Sequence, residues 1–223
     1  MASLRTVVFF GSARNVIPPW GGDKRLGDRV LKHVVGVLKG RTAVKHEVTV
    51  FDPAEVFGEG GALASSGGEL QTPHFFLGGK APEAMNDMAN TIKSADCFLV
   101  VSPEYNHTVP PALASLMGHF GGSNYANKIS AIVTYSPGPY GGSRAAVALR
   151  PFLSELGCLP VSKLCCLSSP AGKLKYLTTE GEPVDPEKPH RMLGQVPALF
   201  NQMEWAALAF KKHLEECGPP AAK

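Results

Sequence analysis

Residues 97–113 read CFLVVSPEYNHTVPPAL, and the order of their chemistry decides the fold. The first five are apolar at every position, which suits a strand covered on both faces rather than one with a wet side. The chain then turns polar and aromatic at Glu104, Tyr105, Asn106 and His107, between Pro103 and the pair Pro110-Pro111. Proline fixes its own φ and steers the preceding residue away from helix, so this loop is held at the strand's end. A helical pattern, residues 110–120, opens directly after it. Buried strand, rigid loop and helix make up most of one β-α-β crossover.

The same alternation extends outward in both directions. Residues 6–10 (TVVFF), 47–51 (EVTVF), 128–136 (KISAIVTYS) and 161–167 are the other strand candidates. Between them lie helical patterns over 25–40, 82–95 and 143–157, and an amphipathic helix over 195–216 follows the last. In the first, Leu26, Val30, Val34 and Leu38 fall on one face. Pro82 is placed in the first turn of its helix, Pro151 is expected to kink the third, and Gly157 to stop it. Right-handed crossovers between five such strands produce a doubly wound five-stranded parallel sheet with helices on both faces, an α/β fold. Residues 54–80, rich in Gly and Ser around Phe75-Phe76, form a long loop of a single domain spanning 1–223, with 172–223 as a C-terminal extension.

Composition narrows the function. At 44% apolar and 18% charged residues, the chain has the make-up of a soluble globular protein, without a run long enough to cross a membrane. A formal charge of +3, with basic and acidic residues interleaved, leaves no nucleic-acid footprint. The opening MASLRTVVFFGSARN passes from a short apolar run straight into a turn, as a buried strand does and a signal peptide does not, so a cytoplasmic location is expected. The five cysteines are odd in number and mostly sit in apolar stretches, which reads as reduced core residues; adjacent Cys165 and Cys166 then face opposite sides of one strand. No H-e-x-x-H, Cys/His ligand spacing or G-x-S-x-G elbow occurs, so neither a metal centre nor a hydrolase site is expected.

In doubly wound sheets ligands bind beyond the carboxyl ends of the strands, where the winding reverses. The first loop there, GSARNVIPPWGGDKRLG, carries Ser12, Arg14 and Arg25 ahead of a helix start, a setting for a phosphate or for a solvated basic turn. Neither G-x-G-x-x-G nor G-x-x-x-x-G-K-[ST] is present. In the loop after the third strand, Tyr105 offers a ring or a hydroxyl; Asn106 can bond a heteroaromatic edge, or Asn106 or Thr108 can cap the next helix. The fourth loop, YSPGPYGGSR, holds Gly138, Gly141 and Gly142, which admit a flat ring close to the backbone and are equally at home in an ordinary turn. Three unusual loops on one edge favour the ligand reading.

The ordered set GSAR…RLGDRV, SPEYNHTVPPAL and YSPGPYGGSRAAVALRPFLSELG resembles the NAD(P)H-dependent FMN reductase family of flavodoxin-like proteins, which includes quinone and azo-dye reductases, over most of residues 5–170. The resemblance implies a flavodoxin-like sheet, bound FMN, NAD(P)H as co-substrate and a small-molecule electron acceptor. It implies that Ser12 and Arg14, with Arg25, Leu26 and Gly27 at the helix start, hold the FMN phosphate. Pro103, Glu104, Tyr105 and Asn106 would border the isoalloxazine, and Ser136, Gly138, Tyr140, Gly141 and Gly142 its pyrimidine side. No catalytic side chain is implied, because the chemistry is the flavin's. A homodimer or higher homo-oligomer, with the partner walling the site near Phe75-Phe76, is also implied. A non-enzymatic flavodoxin-like electron carrier or redox regulator is the competing reading; the lack of acidic clusters speaks against a carrier. Pro18 to Gly22 lengthen the first loop beyond the family's usual form.

Overall fold

The computed structural model describes residues 1–14, 17, 25–64, 72–169 and 174–220. Five strands, β1 (Ala2–Phe10), β2 (Val44–Phe51), β3 (Cys97–Pro103), β4 (Lys128–Tyr135) and β5 (Cys158–Leu167), pair in parallel in the order β2-β1-β3-β4-β5. This is the doubly wound sheet the sequence predicts. Burial explains the strands' different compositions. Central β3 is buried at all seven positions and can be apolar throughout, whereas edge strands β2 and β5 alternate. Edge position also admits Pro160, which lies in β5 beside a register irregularity opposite Ser130 to Ile132.

Helices α1 (Gly27–Lys39) and α7 (Gln195–Cys217) cover one face, where Val30, Val34, Phe200 and Met203 meet Leu4, Val8, Phe10, Leu99 and Val101. Helices α4 (Glu83–Ser94), α5 (Pro111–Gly118) and α6 (Ser143–Glu155) cover the other, packing Met85, Ile92, Leu113, Leu149 and Leu153 against Phe9, Phe98, Val100 and Ile132. Cys165 belongs to the first core and Cys166 packs on the second, as alternation along a strand requires.

The differences from the sequence reading have physical causes. Strands β1, β2 and β5 begin three to four residues earlier than their apolar runs, because ladder bonds such as those pairing Ala2 with Val44 need only backbone. Pro82 stands one residue ahead of α4 as its N-cap, and Pro151 lies inside α6. The expected loop over 54–80 holds α2 (Pro53–Val56) at its start and α3 (His74–Leu77) with a 3-10 turn (Gly78–Lys80) at its end, while 65–71 lie outside the described residues.

After β5 the chain crosses to α1. The Arg29 guanidinium donates to the Leu177 carbonyl at 2.7 Å, Lys32 Nζ to that of Thr179 at 3.2 Å, and His33 Nδ1 to that of Gly181 at 2.9 Å. Gly181 has φ +83°, and a Cβ there would lie 2.6 Å from the His33 nitrogen, so this seating needs glycine. At the opposite end of the sheet, Arg41 grips both carboxylate oxygens of Glu204 at 2.7 Å. His46 Nε2 lies 3.1 Å from Glu204 and its Nδ1 2.8 Å from the Thr6 hydroxyl. A carboxylate only accepts, so Nε2 carries the proton and Nδ1 accepts from Thr6.

Candidate functional site

Strands β1, β3 and β4 end on one rim, with Phe10 opposite Val101 and Pro103 opposite Tyr135. Between β1 and β3 the winding reverses. Gly11 donates its N–H to the Val101 carbonyl at 2.9 Å, and a Cβ on it would stand 2.5 Å from Ser102 Oγ. Only glycine lets the first loop leave so close to β3.

Two residues of that loop reach the loop after β3. Buried Ser12 lies with its Oγ 3.2 Å from the Tyr105 hydroxyl, and the Arg14 guanidinium sits 3.9 Å from the centre of the Tyr105 ring. Arg14 has no carboxylate partner among the described residues. Its charge remains available to an anion.

Arg25 is placed otherwise. Its guanidinium donates to Asp52 Oδ1 at 2.8 Å and Oδ2 at 2.5 Å, to Asp28 at 2.7 Å and to the Ser12 carbonyl at 3.0 Å. Four of five N–H groups are therefore committed. Burial lowers its pKa, but the bonds and charges of Asp52 and Asp28 outweigh that and raise it. In this geometry Arg25 braces the backbone of the first loop. Leu26 packs partly buried against the core below α1. Gly27 is required by packing, since a Cβ there would lie 2.0 Å from the Tyr135 hydroxyl oxygen. Helix α1 begins without a side-chain cap, and its Asp28 N–H bonds the Arg25 carbonyl at 3.0 Å.

The loop after β3 is a tight hairpin. Tyr105 and Thr108 exchange backbone bonds at 3.2 and 3.0 Å around Asn106 (φ 50°) and His107 (φ 62°). Asparagine tolerates this left-handed region, so Asn106 has a backbone reason for its place, and its side chain is exposed at the tip. Neither it nor Thr108 caps α5, which starts after Pro110 with no side-chain cap. Glu104 turns toward α6 instead: its carboxylate accepts the N–H groups of Arg144 at 2.9 Å and Ala145 at 3.2 Å, with His107 Nδ1 at 3.0 Å and the Arg144 guanidinium at 3.5 Å. An anion at a helix N-terminus is favourable. Burial raises its pKa, yet the bonds from His107, Ala145 and Arg144 together hold it below the usual value.

In the fourth loop, Gly141 (φ 60°) and Gly142 (φ 76°) pass close to Cys166 and Thr134, and Thr134 Oγ1 donates to the Gly141 carbonyl at 2.9 Å. Ser136 Oγ donates to the Gly138 carbonyl at 3.2 Å. A Cβ on Gly138 would meet nothing within 4 Å, so the backbone is open to an incoming group. Tyr140 is exposed, 4.6 Å beneath the Arg144 guanidinium. Ser12, Arg14 and Tyr105 are thus brought into direct contact, and Glu104 joins the third loop to the fourth; Arg25, Leu26 and Gly27 stand behind them as support.

Sequence reasoning missed Asp52 and Tyr135. Asp52 was legible as an N-cap, because Asp before Pro at a helix start is that signal, and its Oδ1 accepts the Ala54 N–H at 2.9 Å. The Tyr135 hydroxyl is buried against Ser12, and that burial pushes its pKa well up. An open backbone at Gly138, an Arg14 with no carboxylate partner among the described residues, an uncapped helix and a buried phenol beside Ser12 fit a planar cofactor that carries a phosphate.

Comparison with known proteins agrees. The sequence model of NADPH-dependent FMN reductases matches residues 4–171. A quinone reductase of Pseudomonas putida is 36% identical over 73 residues, 31% of this chain and 39% of that one. Probable NADPH:quinone oxidoreductase 2 of Oryza sativa subsp. japonica is 30% identical over 108 residues, 48% and 53% of the two chains. The matches therefore span from two fifths to about half of these relatives' length. FerB, a flavoenzyme NAD(P)H:(acceptor) oxidoreductase from Paracoccus denitrificans, superposes with a TM-score of 0.64 at 20% identity, covering 91% of this chain and 98% of that one. At that identity the likeness is one of fold, the flavodoxin-like sheet.

Proposed function

The chain belongs to the NADPH-dependent FMN reductase family, and on that premise we propose that it is an FMN-dependent oxidoreductase drawing hydride from NAD(P)H and reducing a small acceptor such as a quinone, an azo compound or free flavin. FMN, when bound, supplies the hydride and electron chemistry. The chain supplies grip and orientation. Ser12 and Arg14, beside the start of α1, hold the phosphate, Arg25 keeping the Ser12 backbone in position. Tyr105, with Pro103 and Asn106, borders one side of the ring, and the backbone from Ser136 to Gly142 meets the other, with Gly138 leaving room. Glu104 fixes the spacing of those two loops by anchoring one to the helix that follows the other.

The observation that carries this reading is the joining of three strand-end loops through Ser12–Tyr105, Arg14–Tyr105 and Glu104–α6 contacts. Its test uses purified protein mixed with riboflavin 5′-phosphate. Quenched flavin emission, loss of the yellow colour on adding NADPH and its return with a benzoquinone are expected. Flavin that stays free, or that is retained but never bleached, rejects it. The second outcome would leave a non-enzymatic carrier.

The same reading takes the protein as a cytoplasmic homodimer. Phe75 and Phe76, exposed with ring centres 4.5 Å apart, supply an apolar contact, and no helix among the described residues is long and apolar enough to cross a membrane. Sedimentation of the protein with and without Phe76→Asp tests the dimer.

A further inference from the structure

A cavity of about 400 Å³ lies between the end of β5 and the segment that crosses to α1, walled by Ser169, Lys175, Tyr176, Asp185, Lys188 and His190 among others. None of these residues takes part in the site described above, and all but Ser169 lie past residue 171, where the family match ends. We propose that this cavity is a binding site separate from the candidate flavin site, and that it takes a small aromatic carboxylate of one or two rings.

The walls suit an aromatic ring. Tyr176 and His190 stack with ring centres 4.5 Å apart and planes 3° from parallel. The Tyr176 hydroxyl donates to the Ser168 carbonyl at 3.1 Å, and burial pushes its pKa up, so it stays a donor and fixes that ring. Val184, its N–H bonded to the Tyr176 carbonyl at 3.0 Å, adds an exposed apolar side chain to the wall. His190 is exposed, and its stack on Tyr176 uses one face of the imidazole. An arene continues that stack on the other face, whereas a saturated ring has no π system with which to do so.

The polar groups suit one carboxylate. The ammonium groups of Lys175 and Lys188 form no ion pair among the described residues. Asp185 is the lining carboxylate, and its Oδ1 already accepts the N–H groups of Glu187 and Lys188 at 3.1 and 3.0 Å, closing a local turn. Two lysines against one engaged aspartate leave a single positive charge in excess, which one carboxylate balances. His190 adds a donor: its Nδ1 accepts from the Met192 N–H at 3.4 Å, so in the neutral ring Nε2 bears the proton and can donate outward. Bonds from such donors to a carboxylate are charge-assisted, which a neutral amide in the same place forfeits.

Size and rigidity agree. At ~30 Å³ per molecule the cavity has the volume of about thirteen waters, room for a two-ring acid of similar heavy-atom count. Its floor is tied on both sides of Ser169, whose N–H donates to the Gly138 carbonyl at 2.9 Å while its Oγ accepts the Leu174 N–H at 2.9 Å. These bonds shape the wall before a ligand arrives, so binding has little left to order.

The experiment titrates full-length protein by calorimetry with 2-naphthoate, with its neutral counterpart 2-naphthamide and with its saturated counterpart decalin-2-carboxylate. The naphthoate is expected to bind about tenfold tighter than the amide and at least about threefold tighter than the saturated acid. Lys175→Gln/Lys188→Gln is expected to erase the first advantage and His190→Ala the second; all three side chains are exposed, and circular dichroism checks that both variants fold. Equal affinity for acid and amide, no binding of the naphthoate, or variants that keep both advantages overturns the inference. Saturating riboflavin 5′-phosphate is expected to change the naphthoate affinity less than twofold. Displacement by it would put the acid in the flavin site and overturn the separate cavity. The naphthoate titration itself needs no flavin, so protein that holds the acid but never binds FMN sinks the functional reading alone.

Discussion

At the scale of single residues, Arg14 and Arg25 show how two arginines of one loop divide their work. Arg14 stacks on Tyr105 with its charge uncommitted, while Arg25 is pinned between Asp52 and Asp28. Arg14→Ala is therefore expected to weaken FMN binding by about 1.5–3 kcal/mol, the worth of a charge-assisted bond, with little change in stability. Fluorescence titration reads this directly, and an unchanged affinity removes Arg14 from the phosphate role. Asp52→Asn has the opposite profile. The Asp52 and Arg25 side chains are only 8% and 11% exposed, so breaking their pair strands a buried guanidinium and is expected to cost about 3–5 kcal/mol in urea unfolding. A loss under about 1 kcal/mol would mean that Asp28 alone can satisfy Arg25. Tyr105→Ala, which removes the ring beneath Arg14, is expected to alter the flavin spectrum and acceptor kinetics more than stability.

Between elements, the contact that matters most is the one Glu104 makes across 40 residues to the start of α6. Because its folded pKa is lowered, this contact is fully present above the ordinary carboxyl value and is lost as pH falls through the lower folded one. Glu104→Gln is expected to speed hydrogen exchange at the Arg144 and Ala145 amides, whose acceptor weakens. Exchange as slow as in the unmodified chain would show that the glycine loop holds α6 by itself. Such ties mark the boundary of what the sequence discloses. All five strands and the four long helices with their neighbour α5 were legible, because hydrophobic periodicity is local and the first five residues of β3 are apolar without a break. Ser12, Arg14 and Tyr105 were legible from strand-end position. The roles of Glu104 and Arg25 were not, since their partners lie 40 and 27 residues away and no local pattern announces them.

For the whole molecule, buried titratable groups set the acid response. Burial holds the His46 pKa below its ordinary 6.5 despite Glu204, and burial likewise lowers that of His33 despite Gly181 and Glu182. As pH drops below about 6.5 the unfolded chain binds protons that the native one refuses, so stability falls. Asp96 and Glu204 add a second stage: burial raises their pKa values, but Arg5 and Lys211 for the one and Arg41 and His46 for the other draw them below the normal range. Their contribution is present above the usual carboxyl values and disappears as pH falls through the folded ones. Urea midpoints are expected to decline from pH 7.5 to 5.5 in the unmodified protein and less steeply in His46→Gln; parallel slopes would clear His46 of that role.

One feature of this architecture bears on how the protein is made. The last long helix, α7, lies over β1, β4 and β5 and closes the α1 side of the sheet. During translation, Leu4, Val8 and Phe10 emerge nearly two hundred codons ahead of Phe200 and Met203, which share their core. The share of this face that α1 does not cover thus waits, greasy and bare, until α7 comes free, which makes the nascent polypeptide a natural client for a holding chaperone over that interval.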